Sequence, residues 1–397
     1  MSVIADRIHA RAEARAIFRN VALEIKKPGD NVEGYRVMAE LGRGAASVIY
    51  LVNDPKTKHV WALKHVIKEG PKDQRFLDQA EQEYLVASKL NVPSVRKIEK
   101  VIRKKESLLG GVKELYLVME HVDGVSCERH PPGTFEAAVF IFEQVAQGLA
   151  SMHRAGFVHA DMKPNNVIVD EKNNAKIIDL GQSCKIGTVK QRIQGTPDYI
   201  APEQVHLRAI TPKTDVYNLG ASLYWILTRS FVPTALSKGE SLLGSVDDSL
   251  LARPKPPVLM NPRVPEMLND VIMQCVEVDP DDRPTMDVVT DKLNLIRSRL
   301  LAEQSLRKSG QMPAVDGGGG SRAGMNGIKG DSNVFGPGGS KGVNLGGSGA
   351  AGGSKGAGGS NGPKGSNGQP PKKKEPPPID PGPGIEGADE DDEPKTK

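Results

Sequence analysis

Cysteine is scarce: Cys127, Cys184 and Cys275 are the three in 397 residues, far apart and odd in number. That excludes a disulfide framework, gives no zinc-ligand spacing, and fits a reducing compartment. Long apolar runs are missing too. The most apolar stretch, Gly220 to Thr228, is about half of what a bilayer-spanning helix needs. The first residues carry Asp6, Arg7, Arg11, Glu13 and Arg15 with no apolar segment behind them, so no secretory leader is expected. Neither sign of charge dominates. The 53 basic residues are scattered among 49 acids for a net +4, and Lys372-Lys373-Lys374 is too short for a nucleic-acid patch. These absences predict a soluble, cytoplasmic protein with no transmembrane segment and no specific nucleic-acid partner.

Glycine (43) and proline (29) are plentiful, but the excess collects after about residue 310. There the chain holds Gly317 to Gly320, two copies of Gly-Gly-Ser-Lys-Gly (338–342 and 352–356), Pro370 to Pro378, and an acidic end from Asp389 to Glu393. Almost no large apolar side chain is present to offset chain entropy, so 302–397 is expected to be a disordered Gly/Ser/Pro/Lys-rich tail. At the other end, Ile4, Ile8, Ala12, Ala16, Val21 and Ile25 fall roughly on one stripe that Pro28-Gly29-Asp30 ends. Residues 1–34 therefore read as a helical extension.

Between these ends lies the stretch that carries chemistry, His159-Ala160-Asp161-Met162-Lys163-Pro164-Asn165-Asn166. It follows an apolar-periodic helix (135–156) and precedes a short apolar strand, Val167-Ile168-Val169, with Asp179-Leu180-Gly181 beyond. An acid, a lysine and an amide lie close together, and a second acid follows. Phosphoryl transfer needs this set: a carboxylate to orient a hydroxyl, a cation for the phosphoryl group, and an amide and a carboxylate for Mg²⁺.

Upstream, Leu41 to Val52 reads as strand, glycine turn, strand. Gly42 and Gly44 let the backbone approach a phosphate closely, although alone such a turn is an ordinary hairpin. The apolar strand Val60-Trp61-Ala62-Leu63 ends in Lys64. A lysine there is buried and needs a carboxylate partner. The helix predicted from about Asp73 to Leu90 offers Glu81 and Glu83, two residues apart, so one of them at most faces Lys64.

In this order the motifs resemble the eukaryotic-like serine/threonine protein kinases, including those of bacteria, over residues 35–301. The match includes His159 to Asn166, Asp179 to Gly181, Gly195-Thr196-Pro197-Asp198-Tyr199-Ile200-Ala201-Pro202-Glu203 and the distal Arg283. The resemblance implies an α+β, bilobal fold. A small antiparallel β-sheet N-lobe with one main helix would occupy 35–119, a hinge 120–124, and a larger, mostly α-helical C-lobe 125–301. It implies ATP, with Mg²⁺ or Mn²⁺, and protein substrates.

The same resemblance assigns the residues. Lys64 would hold the α- and β-phosphates, fixed by Glu83, which the family spacing favours, leaving Glu81 a solvated charge. Asn166 and Asp179 would ligate the metal, Asp161 would accept the hydroxyl proton, and Lys163 would sit on the transferring phosphoryl group. Leu41, Gly42, Gly44, Ser47, Ile49, Ala62, Met119, Glu120, His121, Val122 and Ile168 would surround the nucleotide; by pattern alone Leu41, Ile49, Ala62 and Ile168 are core positions. Glu203 would pair with Arg283. Autophosphorylation through self-association is expected. The competing expectation is a pseudokinase scaffold acting through its tail, disfavoured because Lys64, Asp161, Asn166 and Asp179 are all present. A small-molecule kinase is disfavoured by the 195–203 segment.

Two positions depart from the family pattern. Ala160 stands where an arginine usually anchors an activation-segment phosphate. The segment itself reads Val-Lys-Gln-Arg-Ile-Gln-Gly between Thr188 and Thr196, without a hydroxyl. Reader and mark are both absent, so activity is expected without activation-segment phosphorylation. Leu180 in place of phenylalanine keeps an apolar residue at its position.

Overall fold

Alternating burial along Ser47–Asn53, next to strands such as Val112–Glu120 that bury consecutive residues, builds the first sheet. In the computed structural model, which describes residues 25–107, 110–236 and 252–309, six strands pair antiparallel. They are β1 (Asn31–Val32), β2 (Tyr35–Arg43), β3 (Ser47–Asn53), β4 (Val60–Ile67), β5 (Ile98–Lys105) and β6 (Val112–Glu120), in the order β1-β2-β3-β4-β6-β5. Val48, Tyr50 and Val52 of β3 pack with Leu63, Tyr116 and Val118 on one side of the sheet. The register aligns Ile49 with Lys64, Lys64 with Leu117, and Ala62 with Met119. Because successive side chains alternate, Ile49, Ala62, Lys64, Leu117 and Met119 share the other side.

Helix α1 (Gln74–Ala87) crosses that second side, burying Leu77, Ala80, Glu83, Val86 and Ala87. The three-residue spacing from Leu77 to Val86 makes one stripe, and Glu83 is the charged member of it. The helix stops short of the expected Leu90, since Lys89 and Leu90 close tight turns onto Val86 and Ala87 ahead of Pro93.

The second lobe is mostly helical, as expected for a bilobal α+β protein. After β7 (Val125–Ser126) comes α2 (Phe135–Arg154), whose start is capped by Thr134 Oγ1 accepting from the Ala137 N–H at 3.1 Å. Short strands follow: β8 (Phe157–Val158), β9 (Val167–Val169), β10 (Ala175–Ile177), β11 (Cys184–Lys185), β12 (Thr188–Val189) and β13 (Ala209–Ile210). They pair as β10-β9-β7, β11-β8 and β12-β13. The helices are α3 (Pro202–Val205), α4 (Pro212–Thr228), α5 (Pro257–Met260), α6 (Glu266–Cys275) and α7 (Met286–Lys308). Helix α4 is buried around nearly its whole circumference and packs against α2, α6 and α7, which makes it the fixed base of the lobe.

At the crossing between lobes, a Cβ on Gly124 would run into the Val169 carbonyl, so glycine is required for the close approach. Helix α7 continues past the expected end at Leu301. Its last buried residue is Ile296, and the exposed end is rich in helix-favouring Ala302, Glu303, Gln304, Leu306, Arg307 and Lys308. Of the helical extension expected over 1–34, residues 1–24 lie outside the described residues, while 25–34 hold no helix, because Asn31–Val32 pair as β1 with Arg36 and Tyr35 of β2. The tail from 310 onward also lies outside the described residues.

Candidate active site

Strand β4 delivers Lys64 to the interior side of the sheet, and α1 brings Glu83 to it. Lys64 Nζ lies 2.7 Å from Glu83 Oε2, with the carboxylate only 1% exposed. Burial alone would depress the ammonium, but the Glu83 and Asp179 carboxylates outweigh it and hold its pKa above the ordinary lysine value. Glu81 points elsewhere and makes a two-pronged bond with Arg103, both contacts 2.6 Å.

Below the sheet, the loop after β8 turns back on itself, with Ala160 at φ 61°. A non-glycine residue there needs outside support, and α4 supplies it. Asp215, in the first turn of that helix, accepts from the His159 N–H at 2.9 Å and the Ala160 N–H at 2.8 Å, and bonds His153 Nε2 at 2.8 Å. Gln204 Nε2 donates to the Ala160 carbonyl at 2.8 Å.

The loop so fixed presents Asp161. Lys163 Nζ lies 2.8 Å from Asp161 Oδ2 and 2.7 Å from Thr196 Oγ1, and the Thr196 hydroxyl donates to Asp161 Oδ1 at 2.8 Å. The three side chains form a closed triangle. Asn166, buried, donates through Nδ2 to the Asp161 carbonyl at 2.9 Å.

Asp179 follows β10 and also sits in the left-handed region, at φ 63°. Burial would raise its carboxyl, but Lys64, His159, Lys163 and Arg96 bring it below the ordinary carboxylate value. The carboxylate is thus ionised and faces a cationic surround. It accepts no side-chain hydrogen bond among the described residues, and Asn166 keeps Oδ1 free of the Nδ2 contact. A carboxylate and an amide oxygen are donors of the type a divalent cation such as Mg²⁺ takes. Asp179 lines the same cavity as Lys64 and Asp161, and Asn166 is not among its lining residues.

Ser47, Lys64, Asp161, Lys163, Asp179 and Thr196 line one cavity of about 360 Å³, together with Ala45, Ala46 and Gly181. Other expected residues lie off it. Gly42 pairs with Ile49 in the β2–β3 hairpin, and the Gly44 N–H closes the turn on the Ser47 carbonyl at 2.8 Å. Ala62 and Met119 are buried, Ile49 and Ile168 half-buried, and Leu41 is 48% exposed at the rim of the hairpin. In the inter-lobe segment, Glu120 pairs with Lys176 at 2.8 Å, while His121 and Val122 are partly exposed.

Three contributors carry no assignment from sequence reasoning: Asp215, Gln204 and Arg96, whose Nη2 donates to Glu83 Oε1 at 3.2 Å. Asp215 left a signal, an acid opening the apolar run that becomes α4, because a charge buried there must have partners. Gln204 and Arg96 left none, since polar residues in segments of mixed character are ordinary.

The sequence profile of the protein kinase domain matches residues 35–293. Serine/threonine-protein kinase PrkC of Bacillus subtilis is 28% identical over 265 residues, which is 64% of this chain and 39% of the relative. Serine/threonine-protein kinase PknB of Mycolicibacterium smegmatis is 28% identical over 259 residues, 63% and 40% of the two chains. Serine/threonine-protein kinase pkn3 of Myxococcus xanthus is 27% identical over 268 residues, 63% and 47%. The match thus spans less than half the length of these relatives. The profile match takes in both lobes and each element that places Lys64, Asp161 and Asp179, and on that footing the chain belongs to the protein kinase domain family.

Proposed function

We propose that the chain transfers the γ-phosphoryl group of ATP to serine and threonine hydroxyls of proteins, its own included, and needs no phosphate on its activation segment to do so. The observation that carries this is the simultaneous closure of Lys64–Glu83 and of Asp161–Lys163–Thr196 around one cavity that Asp179 also lines. Positioning and electrostatics supply most of the catalysis of phosphoryl transfer, so a pre-formed cation-and-carboxylate frame is what the reaction requires.

In this proposal Lys64, held by Glu83, grips the α- and β-phosphate oxygens. Asp161 orients the substrate hydroxyl and takes its proton, and Lys163 meets charge developing on the phosphoryl oxygens. Asp179 and Asn166 hold Mg²⁺ or Mn²⁺, which when bound neutralises the phosphate charge. The backbone of Glu120, His121 and Val122 reads adenine, with Leu41, Ile49, Ala62 and Ile168 as walls, Met119 behind them, and the Gly42–Ser47 turn over the phosphates. The relatives' names, Lys163 and its contact with Thr196 favour serine and threonine over tyrosine. Residues 35–301 are taken as the catalytic domain. Autophosphorylation would occur on self-association. Among the described residues no helix is long and apolar enough to cross a membrane.

Independence from activation-segment phosphate is supported by what surrounds Ala160. Val158, Ala160, Cys184 and Ile210 form a small apolar cluster, so position 160 itself contributes a methyl group where a phosphate-anchoring arginine would contribute a cation. Protein incubated with Mg·ATP and a panel of protein substrates, followed by mass spectrometry, tests the proposal. Phosphoserine or phosphothreonine that disappears with Asp161→Ala is expected; its absence from the wild-type reaction would overturn the proposed activity.

A further inference from the structure

Glu83 is shared between two cations. Oε2 takes Lys64 Nζ at 2.7 Å and Oε1 takes Arg96 Nη2 at 3.2 Å. The Arg96 side chain is 11% exposed and the Glu83 side chain 1%. A carboxylate at that depth with one lysine partner would leave an oxygen without a charged donor, a costly arrangement. Arg96 fills that place with the planar fork of N–H donors that suits a carboxylate.

The backbone of Arg96 is anchored separately. Its N–H donates to the Ile177 carbonyl at 2.9 Å, the Ile177 N–H donates to the Ser94 carbonyl at 2.7 Å, and Val95 bridges Ile177 in parallel register. Ile177 ends β10, two residues before Asp179. Arg96 therefore ties α1, which carries Glu83, to the strand that leads into Asp179. Lys64 and Arg96 against Glu83 and Asp179 make a balanced set of charges that interact with one another.

Where Ala160 offers no cation and the segment between Thr188 and Thr196 no hydroxyl, the inward position of α1 has to be held by something other than a phosphate. We propose that Arg96 is the positioning residue that holds Glu83, and through it Lys64, in nucleotide-binding geometry in the unphosphorylated chain. This rests on the protein-kinase function proposed above, but its central measurement, nucleotide binding, does not require turnover.

A double-mutant cycle on the full chain tests it. Affinity for Mg·ATP is measured by titration calorimetry for wild type, Arg96→Met, Glu83→Gln and the double variant, with kcat/KM for phosphoryl transfer measured alongside. Loss of a hydrogen bond to a buried charge should weaken binding by about tenfold or more in Arg96→Met. In the Glu83→Gln background the same change should add less than about twofold, because Arg96 acts through Glu83. Arg96→Lys should recover part of the loss. A merely structural arginine would instead weaken binding by the same factor in both backgrounds; that result, or an Arg96→Met affinity equal to wild type, would overturn the proposal. If Arg96→Met does not fold, Arg96→Gln carries the same comparison. An intact cycle without phosphoryl transfer would sink the kinase function alone, and normal transfer with a flat cycle would sink the Arg96 role alone.

Discussion

The Thr196 hydroxyl donates to Asp161 Oδ1 at 2.8 Å across 35 residues of chain. The bond exists only when the activation segment lies against the loop that carries Asp161, so it couples the folding of one to the aim of the other. With Lys163 on the second oxygen, the Asp161 carboxylate has little rotational freedom left. Thr196→Ala should therefore lower kcat by about tenfold to a hundredfold, the range for losing a hydrogen bond to a charged group. Affinity for Mg·ATP should barely change, and Thr196→Ser should keep most of the rate. Steady-state kinetics with calorimetric nucleotide binding separates the two; a loss confined to binding would show that Thr196 does not act on Asp161.

Arg283 and Glu203 form a second long-range pair with a different job. Arg283 Nη1 and Nη2 reach the two Glu203 oxygens at 2.8 and 3.0 Å, and the guanidinium also donates to the Glu277, Val278 and Lys213 carbonyls. Thr214 Oγ1 adds a donor to Glu203 at 2.8 Å. Removing one member leaves the other buried and uncompensated. Arg283→Met is expected to cost about 3–5 kcal/mol of folding stability, read as a lower urea midpoint. Arg283→Met with Glu203→Leu should cost less than the two single changes added together.

Much of this was legible in the chain, and the reason differs between residues. Lys64 could be read because a charge ending an apolar strand demands a partner, and that partner could be narrowed to two glutamates by helical geometry. Asp161, Lys163, Asn166 and Asp179 are close in sequence, so local spacing was enough to group them. The triangle with Thr196 and the support from Asp215 were not legible, because they depend on how a later segment and a later helix fold back onto the loop. Arg96 was hidden for the same reason. Its position is set by a parallel bridge to Ile177, a pairing with no local signature.

The Asp179 carboxyl sits below its ordinary value of 3.8. A group with a depressed folded pKa contributes stability that is present above its unfolded pKa and is lost as pH falls through the folded value. Wild type should thus exceed Asp179→Asn in urea resistance near neutrality. The gap should begin to close as pH drops towards 3.8 and keep closing below it. A gap that stays constant through that acid range would show that the surrounding cations do not stabilise the carboxylate.

Burial decides the chemistry of the cysteines. All three are buried as free thiols, and burial pushes Cys127 and Cys275 up to about 12 and raises Cys184 as well. The thiolate is the reactive form, so an aromatic disulfide reagent at about pH 8 should leave the native protein essentially unmodified. All three thiols should react once guanidinium unfolds the chain. Rapid labelling of Cys184 in the native state would show that the apolar cluster around Ala160 opens readily.

That cluster bears on how the protein is switched on. Thr188, the hydroxyl at the start of the 188–196 stretch, spends its Oγ1 on the Lys185 carbonyl at 2.7 Å and belongs to β12, paired with β13. Losing one exposed neutral hydrogen bond costs about 1 kcal/mol, and none of the groups around Asp161 depends on it. Thr188→Ala should therefore keep kcat within about threefold of wild type. Ala160→Arg makes the opposite case. It places a long cation in a left-handed, buried position bounded by Val158, Cys184 and Ile210, where strain and desolvation act together. It should lower the thermal midpoint and the rate without making either respond to phosphorylation. If Thr188→Ala abolished activity in a folded protein, or Ala160→Arg gained activity on phosphorylation, control would lie in the activation segment after all.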